Sequence, residues 1–203
     1  MRKRLSLGYF IILLVLFMGL ILLPLCWHAS PPKARQLQPV PYSQQAFLKR
    51  LAKELGPIAK AYGIKPSVLL AQADLESQHG QTLLAAKYAN LYALPAKPGQ
   101  AAIALTPSSV APFLQNSSAA QAMTQGQTVR YARYLSWDQA ARDYLQRLKA
   151  GELADTDLYT HLATQKGYVK PSQALQKYLY PQDKNRAQAM IQVIEQYNLT
   201  QYD

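Results

Sequence analysis

The chain has 203 residues, 22 Lys+Arg against 11 Asp+Glu, a formal net charge of +11 and one cysteine. That lone Cys26 excludes a disulfide framework and a thiolate metal centre, so the fold must be held by its own apolar core, for which about 160 residues suffice. The three dispersed histidines (His28, His79, His161) form no ligand set, and there is no phosphate-binding glycine loop, H-E-x-x-H or G-x-S-x-G pattern, so no metal or cofactor is expected.

In chain order, residues 1–8 form a basic tail opening on MRKR, and 9–27 form an apolar run. The run is about 19 residues, or about 29 Å as a helix, which matches a bilayer core. Tyr9 and Trp27 bracket it at interfacial positions, and Arg2, Lys3 and Arg4 favour a cytoplasmic N-terminus. The expectation is a single-pass membrane anchor with the remainder of the chain on the extracellular side. The alternative is a cleaved signal peptide, against which the length of the run and the lack of small residues around Pro24-Leu25-Cys26-Trp27 both speak. A Pro-rich linker, residues 28–42, follows, and then a domain over 43–203.

Ser43 is placed to cap a helix whose apolar positions Phe47, Leu51, Leu55, Ile58 and Ala59 recur at three and four, ending at Gly63. Ile64 to Gly80, IKPSVLLAQADLESQHG, predicts a second helix with Pro66 at its start and Gly80 at its end. Its apolar residues fall all round the axis, the pattern of a helix enclosed by protein. Such a helix should carry no charge, yet it holds Asp74 and Glu76, which project to nearly opposite sides and cannot act as a pair. An unpaired carboxyl on the apolar side resists ionisation, and a raised pKa is what a general acid needs. Glu76 is thus the first catalytic candidate; the alternative is an ordinary acid at a helix end, paired with a lysine.

Residues 81–94 predict a short helix and then a strand. Residues 95–127 are rich in Pro, Ser, Gln and Ala, with a β-like patch at 101–106. Val129 and Tyr131 alternate as in a strand, and Ser136 or Asp138 opens a helix that turns Ala140, Ala141, Tyr144, Leu145 and Leu148 inward. Helices broken at Gly167, Pro171 and Pro181 complete the chain, and Asp183 suits an N-cap.

The string AQADLESQHGQTLLAAKYANLYAL resembles the signature of the bacterial peptidoglycan N-acetylglucosaminidases, glycoside hydrolase family seventy-three, of autolysin and flagellar-rod-hydrolase type, which reads approximately AQAALESGWGKS and then AKKANNLFGI. His79 stands where that family has tryptophan, and Ala93 where it has glycine. Tyr131 to Trp137 is similar to F-R-K-Y-x-S-W, and Tyr180 to Asn185 falls where the family has Y-A-T-D-P-N. The resemblance extends over nearly all of 43–203. It implies a mainly α, lysozyme-like α+β fold, a helical lobe with a small β-lobe across a cleft.

By the same resemblance Glu76 is the catalytic acid, Tyr134 borders it, and Asn90, Tyr92, Tyr131, Tyr180 and His79 line the substrate site; for Trp137 core packing is expected. The implied reaction cleaves β-1,4 bonds after N-acetylglucosamine in peptidoglycan glycan strands. A muramidase or lytic transglycosylase, or a non-catalytic wall-binding domain, are the alternatives. The basic surface suits anionic wall polymers or lipid headgroups rather than nucleic acid, given the expected topology. No Asp or Glu lies between Glu76 and Asp138, so a second carboxylate is missing from the β-lobe segment. Three routes stay open: Asp138 or Asp183 reaches in, Tyr134 holds a water, or the substrate's 2-acetamido group attacks the anomeric carbon. Glu76→Gln is expected to abolish hydrolysis with an unchanged or raised melting temperature.

Overall fold

The computed structural model describes residues 8–9, 11–14, 16–18, 43–105 and 128–203. The chain divides into two units, residues 1–37 and 38–203. In the first, the described residues are helical, and Tyr9, Ile11, Ile12, Leu13, Leu14, Leu16, Phe17 and Met18 are exposed. Among the described residues no helix is long and apolar enough to cross a membrane. The MRKR tail, the rest of the expected anchor and the 28–42 linker lie outside them.

The second unit is mainly helical. Helix α1, Gln44–Ala61, is capped as expected, with Ser43 Oγ accepting from the Ala46 amide at 3.2 Å. Phe47, Leu48, Leu51 and Leu55 are buried along one side. Helix α2, Pro66–Ser77, packs against it and is enclosed almost throughout, with Val68, Leu69, Leu70, Ala71 and Ala73 all buried. Its first turn is closed by Asp203, whose carboxylate accepts from the Ser67 amide (2.9 Å) and hydroxyl (3.0 Å).

Helix α2 ends three residues before the expected stop at Gly80. Gln78, His79 and Gly80 take successive left-handed conformations, φ +49°, +59° and +79°, so the chain leaves the helix abruptly. Ser77 holds this exit, donating its hydroxyl to Ala73 O (2.6 Å) and accepting from the Gly80 amide (2.9 Å). A Cβ on Gly80 would lie 2.5 Å from the Phe47 ring, so this position requires glycine for space as well as for φ.

Helix α3, Leu83–Tyr88, is capped by Thr82. The strand expected after it is absent: Ala89 and Ala93 have φ of +52° and +49°, and only Pro95 bridges to Tyr131. Left-handed residues at both ends of 89–93 are incompatible with a continuous extended segment. Strands β1, Ala102–Leu105, and β2, Val129–Ala132, form an antiparallel pair running from Ala102 opposite Ala132 to Leu105 opposite Val129. The remainder of the expected β-lobe, 106–127, lies outside the described residues.

Helix α4, Trp137–Lys149, follows Ser136. Trp137 is buried edge-on against Phe47, ring centroids 5.4 Å apart, and its Nε1 donates to Ala85 O, so it packs in the core. Then come α5 (Thr156–Thr164), α6 (Val169–Leu179), α7 (Arg186–Gln196) and a 3₁₀ turn, Leu199–Tyr202. Pro171 does not break α6 as expected; it sits in the first turn, where its missing amide has no intrahelical partner to lose. Helices α7 and the 3₁₀ turn close on α2.

Candidate active site

Glu76 lies one residue before the end of α2, and its side chain is 8% exposed. It is neither unpaired nor matched with a surface lysine. Arg186, the first residue of α7, donates from Nη2 to Glu76 Oε1 at 2.5 Å, and its own side chain is 9% exposed. The guanidinium carbon stands 4.3 Å over the Tyr180 ring. One turn before Glu76 on the same face, Gln72 donates to the hydroxyls of Tyr180 (2.9 Å) and Tyr144 (2.7 Å). Tyr92 stacks on Tyr144 with centroids 4.3 Å apart. The site is therefore a buried polar cluster assembled from α2, α4, the end of α6 and the start of α7.

Burial pushes the Glu76 carboxyl above the ordinary range, opposed by the Arg186 charge and by hydrogen bonding from Tyr180, while the Asp183 charge adds to the rise. The Tyr92, Tyr144 and Tyr180 phenols are driven upward chiefly by burial and stay neutral. Asp183 accepts from the Asn185 amide at 3.1 Å and closes the turn before α7, whose N-cap is Asn185 rather than Asp183. Asp138 is partly exposed beside Arg142 in the first turn of α4.

On the other side of α2, Asp74 is fully buried, accepting from Gln44 Nε2 at 2.7 Å with His79 Nδ1 at 2.9 Å. The expected divergence of Asp74 from Glu76 thus places His79 with the wrong acid to join the Glu76 cluster. Burial raises the Asp74 pKa, and His79 opposes it.

Tyr134 is nearly buried and donates its hydroxyl to Asp143 Oδ2 at 2.6 Å. Arg147 grips both oxygens of Asp143, from Nε at 2.9 Å and Nη2 at 2.7 Å, and its Nη1 donates to Pro95 O. Gln100, just before β1, donates to the same carboxylate at 3.2 Å. Burial works to raise the Asp143 pKa, but hydrogen bonds from Arg147, Tyr134 and Gln100 hold it down to about 2. Burial and Asp143 together push the Tyr134 phenol up. With its one proton committed to Asp143, Tyr134 can offer another ligand only an acceptor lone pair.

Two expected substrate contacts have other work. Asn90 donates both amide protons to backbone carbonyls, Leu94 O (2.9 Å) and Ala132 O (3.0 Å), and accepts from the Leu94 amide, so it braces the turn after α3. Tyr131 is 0% exposed among Leu84, Ala93 and Leu105, a core side chain on the inward face of β2. The sequence reading missed Gln72, Arg186, Asp143 and Arg147. Spacing of four residues links Gln72 to Glu76 and Asp143 to Arg147 and could have suggested them; nothing local points from Glu76 to Arg186.

A mainly helical body, a small antiparallel strand pair and a buried carboxyl on the enclosed helix define a lysozyme-like glycosidase fold, and solved structures bear this out. The catalytic domain of the autolysin Auto from Listeria monocytogenes superposes with a TM-score of 0.66 at 26% identity, over 83% of this chain and 92% of that one. The glycoside hydrolase domain of FlgJ from Salmonella typhimurium shares the fold at a TM-score of 0.57 and 21% identity, over 78% and 91% of the two chains. Residues 52–199 match the Glucosaminidase family, described as mannosyl-glycoprotein endo-beta-N-acetylglucosaminidase, and the chain belongs to that family. Among curated relatives, the exo-glucosaminidase LytG of Bacillus subtilis is 24% identical over 160 residues, covering 79% of this chain and 54% of LytG. A probable N-acetylmuramidase of Lactococcus lactis subsp. lactis is 29% identical over 165 residues, covering 79% and 35%. The chain thus spans from about a third to about half the length of these curated relatives.

Proposed function

We propose that this protein is a cell-wall hydrolase that cleaves the β-1,4 bond following N-acetylglucosamine in peptidoglycan glycan strands, with Glu76 as general acid. The observation that carries the reading is the burial of Glu76 on α2 in a chain of the Glucosaminidase family. The saccharide lies between the helical body and the strand pair. Glu76 protonates the departing oxygen while positive charge develops at the anomeric carbon. Tyr134, as an acceptor, orients the 2-acetamido N–H so that the acetamido oxygen attacks that carbon, or else it holds the attacking water. A second reading, muramidase or lytic transglycosylase activity, draws support from the name of the Lactococcus lactis relative.

The protein acts at the outer face of the cell membrane, carried by the apolar 9–27 segment and facing the wall. The exposed apolar helical residues between Tyr9 and Met18 support this, and the net charge of +11 suits anionic wall polymers. Digestion of purified peptidoglycan, with mass spectrometry of the released reducing ends, tests the activity. N-acetylglucosamine ends are expected; N-acetylmuramic or anhydro ends select the second reading, and no release by wild type rejects both in favour of a binding domain.

A further inference from the structure

We propose that Arg186 is a positioning residue that governs the protonation of Glu76, holding its carboxyl through a direct hydrogen bond and receiving the carboxylate that forms when the proton leaves. The inference rests on the reading of Glu76 as general acid.

The two buried arginines of the domain differ in a way that separates a strut from a working group. Arg147 uses Nε, Nη1 and Nη2 on Asp143, Pro95 O and Gln100, a complete clamp between α4 and the segment before β1. Arg186 donates to Glu76, and its Nε is buried with no acceptor among the described residues. Leaving a buried donor unmet carries a desolvation cost that a purely bracing guanidinium has no reason to bear. Its carboxylate contact is Glu76, and the Tyr180 ring centroid lies 4.3 Å from its guanidinium carbon.

Its chemical effect follows from the proton balance. Glu76 gives its proton to the glycosidic oxygen, the C1–O bond breaks, and the electron pair leaves with that oxygen. The anomeric carbon is filled by an electron pair from water or the acetamido oxygen, and the water that completes hydrolysis returns a proton to Glu76. Between these events Glu76 is a buried anion, and Arg186 is the cation that meets it. The other titratable groups facing Glu76 are Asp183 before α7, Tyr180 at the end of α6 and Tyr144 on α4; none is a cation. Asp74 and His79 lie across α2, and Asp203 and Lys65 lie at its start.

The test compares Arg186→Met and Arg186→Lys with wild type. An opposite charge in contact moves a carboxyl by about 1–3 pH units, so Arg186→Met should carry the alkaline limb of kcat/KM upward by at least about one unit. It should also lower kcat on the acid side of that limb by about tenfold, as the weaker acid protonates the leaving oxygen less well. Arg186→Lys should leave the limb within about half a unit. In parallel, carbon NMR of the Glu76 carboxyl titrates the group without need of turnover, in these variants and in Arg186→Gln should the Met variant fail to fold. A Glu76 titration that does not move when the charge is removed overturns the inference. If that happens while Glu76→Gln is inactive, only the role of Arg186 falls; if Glu76→Gln keeps full turnover, the reading of Glu76 as acid falls and takes the inference with it.

Discussion

Tyr134 donates its hydroxyl proton to Asp143 across 2.6 Å, and Asp143 is itself gripped at both oxygens by Arg147. Asp143, nine residues after the tyrosine, is thus engaged with Tyr134 and Arg147. Because the folded-state pKa of Asp143 is depressed to about 2 from 3.8, its contribution to stability is complete above about pH 4 and is lost as pH falls through about 2. Solvent screening at this partly exposed carboxylate holds the stability carried by the shift to about 1–2 kcal/mol. Asp143→Ala should remove that acid-dependent loss and also leave the Arg147 guanidinium, 4% exposed, without its counter-charge, costing about 3 kcal/mol at neutral pH. Urea unfolding of both proteins between pH 2 and pH 7 checks this; parallel acid profiles would refute it.

Tyr134→Phe removes the acceptor oxygen while keeping the ring. Turnover should fall by about 10²-fold or more, in the range of a single positioned polar group in a dry site, with little change in stability beyond about 1 kcal/mol. Asp138→Asn should leave Tyr134 undisturbed and act through stability alone, whereas Asp183→Asn should also leave Tyr134 undisturbed but remove a charge that raises the Glu76 pKa. Steady-state kinetics on soluble glycan fragments separates these, and a catalytic defect in Asp138→Asn matching that of Tyr134→Phe would contradict the assignment.

Glu76→Gln should lower turnover by about 10²–10⁴-fold, since the amide keeps the shape but cannot give a proton. Arg186 alters the stability half of the original expectation. Relieving a desolvated acid favours folding, but the same change strips a buried guanidinium of its charge partner, and the second effect is the larger. The melting temperature should fall, by an amount equivalent to about 1–3 kcal/mol, and calorimetry above and below neutral pH measures it.

The first-formed product should retain the anomeric configuration. An acceptor-only Tyr134 suits an amide N–H, and acetamido attack needs no second carboxylate on the β-side of the site. Proton NMR during the first minutes of digestion reads the anomer directly, and inversion would replace this route with direct attack by water.

Gly80→Ala should destabilise by about 2–4 kcal/mol, because a methyl group there collides with Phe47 and φ of +79° is strained for alanine. As the exit of α2 orients the turn after Glu76, activity should fall with stability and recover in a compensating Phe47→Leu background. Loss of activity without loss of stability would show a role for this turn beyond packing.

Much of the fold was legible locally. The Ser43 cap, Pro66 at the start of an all-round apolar helix, and the position of Glu76 depend on spacing within a turn or two, where backbone geometry and side-chain periodicity dominate. The family signature around Glu76 carried the rest of the functional reading. What only the tertiary structure decided is who meets whom across the chain. Arg186 reaches Glu76 over 110 residues, Asn90 is consumed by Leu94 and Ala132, and Tyr131 turns inward to a core formed by Leu84 and Leu105. Neither helical nor strand periodicity encodes such pairings, because a polar side chain in a buried site takes whichever partner the packing brings within about 3 Å. The sequence by itself thus determined which helix is enclosed and which acid stands on it; the packing of α7, α6 and α4 around that helix decided that the acid is held by an arginine.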